Sequence, residues 1–495
     1  MYWKDVLSKI LFNILRKRQR HKKSLPGTDS RLNLLLLFAG DQPHAGVVKR
    51  IHESETLLSE KEMSELCLHK LILILTGVFL VNSSASQEWP DWRGINRDGI
   101  WKETGIVKKF KNNTIPLKWS IPCGSGYSGP TVSGGKVYLT DLIEKPEASE
   151  RVLCVDANNG KVIWTYSYAC RYGNVSYPNG PRASVVISDG KAYSLGTMGH
   201  LFCFDAHTGS VLWQHDMNRE YRIIMPIWGI ASTPLIFENK IILQIGGNNG
   251  ASVLALDKNS GDELWRSMDD KISYSSPILI QQAGKPVVVV WSAENLNGLD
   301  PKTGKVYWKI PFPLRMGMGI ATPVHYADFL FVSSFYSGSL LVKLSQETTS
   351  AKRIWLRVGE SEYKTDALHC VINTPLIKND CIYGVDSYGE LRCLLLETGD
   401  RLWEDLSAVT KNRWANIHFV EHGQQTWMFN EHGELLITEL SPQGIKIISR
   451  AKLIDPTTGQ LNRNGTGVTW SHPAFADRHV FARNDKSLIC AYLGE

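Results

Sequence analysis

A turn signature followed by tryptophan recurs along the chain at a nearly constant interval, and this period restricts the possible folds more than any other feature. The pattern Asp-x-x-x-Gly-x-x-x-Trp appears in four copies, opened by Asp156, Asp205, Asp257 and Asp300 and closed by Trp164, Trp213, Trp265 and Trp308. A fifth copy keeps Gly399 and Trp403 but lacks the Asp. An Asp-x-x-x-Gly stretch between two alternating apolar runs predicts a tight hairpin, in which Gly supplies a positive φ and Asp bonds its own turn backbone. Each unit therefore ends in two antiparallel strands, the second carrying Trp. With Trp119 and Trp355 added, the Trp positions are 119, 164, 213, 265, 308, 355 and 403, at spacings of 45, 49, 52, 43, 47 and 48. That is the size of one four-stranded propeller blade.

A second recurrence marks where each unit begins: Ser-Gly-Pro130, Ala-Ser-Val185, Ser-Thr-Pro234, Ser-Ser-Pro277, Ala-Thr-Pro323, Asn-Thr-Pro375, Asn-Ile-His418 and Ser-His-Pro473. Proline cannot donate to a strand ladder, so a strand that repeatedly opens with it has a free edge or begins there. The innermost strand of a blade, facing the central channel, meets that condition, and eight starts predict eight blades. Trp119 precedes the first start, and too little chain follows Pro473 for four strands. The segment Pro116–Ile121 must then complete the last blade, beside the strands of Phe475 and Cys490, and so remove unpaired edges. The expectation is an all-β, eight-bladed propeller of four-stranded antiparallel blades over residues 117–495, preceded by a lead-in at 86–116. The seventh blade ends in Lys446–Arg450 without Trp and reads as degenerate, with a loop from Lys452 to Gly467.

The formal charge of +6 does not point to nucleic acid. Residues 1–62 hold 12 Lys/Arg against 7 Asp/Glu, so nearly all of the excess lies there and the remainder carries no basic stripe. This region reads as a solvated basic tail or as a misassigned start. Met63 to Ala85 has the layout of a secretory signal: His69 and Lys70, then the apolar run Leu71–Val81, then small residues. The reading is translation from Met63, cleavage after Ala85 and export to a periplasmic or extracellular space. The rival is a retained membrane anchor at 66–81, which would be the chain's membrane contact.

The nine cysteines form no CxxC pair. Cys154, Cys203, Cys393 and Cys490 share one repeat position, which Ala255 and Gly298 occupy elsewhere, so the position calls for a small residue. Cys123, Cys170, Cys370 and Cys381 remain possible disulfide partners in an oxidising compartment.

These Asp-Ala-x-x-Gly-x-x-x-Trp units resemble the repeats of the pyrroloquinoline-quinone (PQQ) propeller superfamily. Its members include quinoprotein alcohol dehydrogenases and the propeller lipoprotein of the outer-membrane β-barrel assembly machinery. The lead-in Trp89-Pro-Asp-Trp-Arg-Gly-Ile-Asn-Arg-Asp-Gly99 is similar to that of secreted bacterial propellers of this type. The resemblance implies that Trp119, Trp164, Trp213, Trp265, Trp308, Trp355 and Trp403 dock one blade onto the next. It also implies, for an enzyme of the group, PQQ sandwiched between a Trp and adjacent cysteines, Ca²⁺ held by carboxylate and amide oxygens, and an Asp base. No two cysteines are adjacent here. Asp366, Glu294, Asn295 and the Asn430-Glu431-His432 turn are oxygen-bearing candidates, but no recognisable spacing groups them, so no metal ligand set is assigned.

Because every inner strand starts on the same face, residues just before those starts should gather around one mouth of the channel. They are Tyr127, Tyr177, Arg182, Trp228, Tyr274, His369, Trp414, Trp470 and His472. Such a ring is either a platform for an extended or planar ligand, with Arg182 for an anionic group, or a plug whose members satisfy one another. No nucleophile stands beside either His, and no phosphate loop or zincin motif appears. Two functions remain. One is a non-catalytic exported module, monomeric, that offers its face to a protein or polymer partner. The other is a PQQ- and calcium-dependent alcohol or sugar dehydrogenase with an altered cofactor site.

Overall fold

The turn chemistry read from the repeat forms as expected in the computed structural model, which describes residues 87–460 and 467–495. In the second unit, Asp205 Oδ1 accepts from the amides of His207 (2.9 Å) and Thr208 (2.7 Å), and Gly209 follows at φ +75°. Hairpins join the two outer strands in seven of the eight separate four-stranded antiparallel sheets. In chain order the blades span 131–169, 186–216, 235–267, 278–311, 324–357, 376–405, 417–452 and 474–492. The eighth is completed by Leu117–Pro122, which pairs with Ser487–Tyr492 and sets Trp119 opposite Cys490. The ring is thus closed by the strand that the order of the repeats demanded. Eight cysteines lie in the described residues and all are free thiols.

The blade contacts explain why the position opposite each Trp is small. Trp164 pairs across the ladder with Cys154, Trp213 with Cys203, Trp265 with Ala255 and Trp308 with Gly298. At Gly298 an added Cβ would stand 2.2 Å from the Trp308 ring. Each indole then leans onto the hairpin of the next blade. Trp164 Nε1 donates to Ala206 O (3.1 Å), Trp119 to Ala157 O (2.9 Å), Trp213 to Lys258 O (3.2 Å), Trp265 to Pro301 O (3.2 Å), Trp355 to Leu396 O (3.0 Å) and Trp403 to Ser441 O (2.9 Å). The turn glycine faces the incoming ring: a Cβ at Gly209 would lie 2.6 Å from Trp164. Blade 5 has no such glycine in its hairpin. There Trp308 donates to Gln282 Oε1 (3.0 Å), and Gln282 Nε2 reaches Ser350 O (2.6 Å).

Blade 7 carries Ser449 where the other blades carry Trp, opposite the bulkier Ile437. The reason lies in the lead-in. Trp101, Ile106, Phe110 and Ile115 are buried in one cluster with Trp427, Leu435 and Ile437 of blade 7 and Phe475, Phe481 and Leu488 of blade 8. Phe110 N–H also donates to Ser449 Oγ (3.0 Å). A separate stretch of chain therefore fills the one junction that lacks a tryptophan. The strand Gly444–Lys452 carries this blade's edge, and of the loop beyond it residues 461–466 lie outside the described residues. The basic tail and the secretory or anchor segment also lie outside them, and no helix among the described residues is long and apolar enough to cross a membrane.

Candidate functional site at the channel mouth

The starts of the inner strands are tied to one another around the channel by hydroxyl groups. Ser184 N–H donates to Thr233 Oγ1 (3.2 Å), Thr233 N–H to Ser276 Oγ (2.9 Å), and Thr322 N–H to Thr374 Oγ1 (3.1 Å). Ser184 Oγ in turn donates to Gly129 O (3.0 Å), and Ser275 Oγ to Ala321 O (2.9 Å). The Ser or Thr that precedes Pro234, Pro277, Pro323 and Pro375 is thus a blade-to-blade link, a function hidden behind the more conspicuous proline. It also fixes the loops that carry the aromatic residues.

Tyr127, Tyr177, Arg182, Trp228, Tyr274, Trp414 and Trp470 line one cavity of about 160 Å³ at this mouth. Trp92 joins them, together with Met318, Ile320, Val371 and Ile372. Trp228 and Tyr274 are in ring contact at 5.1 Å, and Tyr127 and Trp470 at 6.4 Å. Tyr177 and Trp414, from loops on opposite sides of the ring, meet at 6.2 Å and 72°. Both hold left-handed backbone, at φ +54° and +63°, which is uncommon for bulky side chains and concentrates at functional positions. Arg413 lies over Trp414 (4.3 Å) and is held there by Glu362 (2.8 Å).

Among the described residues, Arg182 is the one charged side chain in the lining. Its guanidinium donates to Gly180 O (2.7 Å), Tyr177 O (2.7 Å) and Ser176 O (3.2 Å), and it stands 5.3 Å over the Tyr127 ring. Burial lowers its pKa, raises that of Tyr127 and pushes the Tyr274 phenol up to about 12, so both phenols stay neutral at neutral pH.

His369 and His472 stand elsewhere. His369 is buried between blades 5 and 6, with Nδ1 on Phe335 O (2.9 Å) and Nε2 accepting from Gly359 N–H (3.2 Å). His472 lies beneath the mouth against Trp89, Trp92 and His418. Burial holds both imidazoles neutral, lowering their pKa values, and brings His418 to about 4.

The floor of the mouth is the lead-in, which the sequence reading left without a role. Trp89 pairs with Val132, and Pro90 O accepts from Ile187 N–H (2.9 Å). Trp92 Nε1 donates to Thr322 Oγ1 (2.8 Å). Arg97 forms a buried ion pair with Asp91 (2.9 Å) and donates to the carbonyls of Thr233 (3.2 Å), Pro277 (2.9 Å) and Pro234. Residues 89–101 thereby touch most blades and occupy the channel from the end opposite the mouth. A signal was present: an Asp and an Arg six residues apart among three tryptophans, too polar for a strand and too aromatic for a linker.

The candidate calcium ligands do not converge. Asp366 is clamped by Arg357 (2.7 and 2.8 Å), Asn295 donates to Asp270 (2.7 Å), Asn430 donates to Ala408 O (3.0 Å) and Glu434 (2.8 Å), and Glu431 accepts from Trp470 Nε1 (3.2 Å). None of these, nor Glu294, lines the mouth, and no group of three or more His, Cys, Asp or Glu side chains among the described residues could hold a metal ion.

Fold and repeat together define a Trp-docked propeller of the quinoprotein type. Residues 148–405 match the family described as outer membrane protein assembly factor BamB, and the chain belongs to that family. It is 23% identical over 281 residues to BamB of Shewanella oneidensis, a match covering 56% of this chain and 68% of that one. It is 29% identical over 164 residues to a quinoprotein ethanol dehydrogenase of Pseudomonas putida, covering 30% of this chain but only 25% of the enzyme's length. Among solved structures, a europium-containing methanol dehydrogenase superposes with a TM-score of 0.56 at 13% identity, over 80% of this chain and 89% of that one, a likeness of fold alone.

Proposed function

We propose that this chain is an exported, non-catalytic binding module that presents the channel mouth and its surrounding loops to a protein or polymer partner. The observation that carries this reading is the make-up of the mouth: among the described residues its lining holds aromatic and aliphatic side chains, one arginine, no carboxylate and no histidine, with Trp92 at its floor. Calcium is held by several oxygen ligands, and a proton-abstracting base must reach the substrate. The residues present do not fit a PQQ–calcium group, so no reaction step is routed through one. Membership of a family described by an assembly factor supports the same reading. The closed ring leaves no blade edge that requires a second copy, so the module acts as a monomer, and the absence of a basic stripe argues against nucleic acid as partner.

The second reading, a PQQ-dependent alcohol or sugar dehydrogenase with an altered site, is favoured by the similarity to the quinoprotein ethanol dehydrogenase. Incubating the purified protein with PQQ and Ca²⁺, then assaying dye-linked oxidation of alcohols and sugars, separates the two. The expected result is no cofactor-dependent dye reduction. Saturable PQQ binding with turnover would overturn the module reading.

A further inference from the structure

We propose that the mouth holds a subsite for a one-ring aromatic carboxylate group. This rests on the reading of the mouth as the binding surface and adds the chemistry of what it takes.

Size comes first. An apolar cavity of about 150 Å³ accommodates one benzene-sized ring, and this one measures about 160 Å³. One ring with a short substituent fits within this volume. The ring contact between Tyr177 and Trp414 narrows the entry further. The walls then select the kind of ring. Trp228, Tyr274 and Trp470 offer aromatic faces and edges, and aromatic pairs in offset or edge-on geometry gain stabilisation beyond their buried area.

Charge completes the argument. Of the five N–H donors of a guanidinium, Arg182 commits three to the carbonyls of its own loop. No carboxylate pairs with it among the described residues. Glu150 lies close enough to feel its charge, but that carboxylate accepts from the Tyr168 and Tyr172 hydroxyls and from the Thr197 amide (3.1 Å). The cation is pinned by its loop, stacked on Tyr127 and left with two N–H groups that no described residue accepts from, beside a cavity whose described lining holds no other charge. A guanidinium so placed is complementary to a carboxylate, which it binds through charge-assisted hydrogen bonds.

Calorimetric titration of the full chain with 3-phenylpropionate and with its neutral amide, 3-phenylpropanamide, tests this directly. The acid is expected to bind saturably and about tenfold or more tighter than the amide, the factor that a charged hydrogen bond supplies. Arg182→Gln should bring acid and amide to parity. Because Arg182 also holds its own loop, Ile372→Trp provides a second variant, filling the cavity with the arginine intact and abolishing binding of both probes. Equal affinities in the unaltered protein, or no binding of the acid, would overturn the inference while leaving the module reading in place. Binding of PQQ tighter than the one-ring acid would overturn the size argument, and only turnover with PQQ would overturn the module reading.

Discussion

Replacing Trp101 with Ala tests whether the lead-in substitutes for the tryptophan missing from blade 7. The indole is fully buried, in ring contact with Trp427 (5.4 Å) and Phe475 (5.0 Å), and its Nε1 donates to Glu103 (2.8 Å). Its removal takes away packing from both blades and leaves a buried cavity, at a cost of about 3–5 kcal/mol for a large aromatic. Unfolding entropy near the midpoint is about 2 cal/mol/K per residue, or roughly 0.8 kcal/mol/K for some 400 residues, so Tm should fall by about 4–6 °C. The assay is differential scanning calorimetry of Trp101→Ala beside Trp164→Ala, which removes an ordinary blade-to-blade indole. The two shifts should be comparable. A shift below about 1 °C for Trp101→Ala, with the full effect at Trp164→Ala, would refute the idea that lead-in and docking tryptophans do the same work.

Gly298→Ala should destabilise by about 1–3 kcal/mol, the cost of overpacking, because its Cβ would collide with Trp308, whereas Gly190→Ala meets no atom and bears only the strain of its φ of +72°; denaturant melts compare them. His418 predicts a pH dependence. Its pKa is about 4 in the folded protein, below its ordinary 6.5, so folding favours the neutral ring. The stability tied to this group is full above pH 6.5 and declines as pH falls towards 4, by up to about 3 kcal/mol. Urea melts at pH 7.5 and 5 should show a loss that His418→Gln reduces, and an equal loss in the variant would refute the assignment.

The ring was legible because its chemistry repeats. A hairpin Gly, a Trp and a small residue opposite it recur at a fixed period, and the position of Trp119 before the first Pro start leaves closure by the N-terminal strand as the only arrangement. Seven of the mouth residues were legible for a related reason, since loops entering equivalent strands emerge on one face. His472 differs from Trp470 by two positions: it immediately precedes Pro473, where other blades place the Ser or Thr of the hydroxyl belt, and so it lies in the channel wall. His369 is turned instead toward the seam between blades, where Phe335 O and the Gly359 amide take its ring nitrogens. The lead-in was illegible because it has no period. Its pairings with Val132 and Glu421 are single bridges to distant strands, and only the folded ring shows why Asp91 and Arg97 are needed.

The lead-in also fixes a direction. Gln87 and Glu88 lie against the hairpin turns of the inner strands, where Glu88 accepts from Ser133 Oγ (2.8 Å) and the Gly134 amide (2.8 Å), whereas the mouth opens at the opposite ends of those strands. The two ends of the channel are thus unlike, one edged by the start of the lead-in and the other by a ring of aromatic side chains.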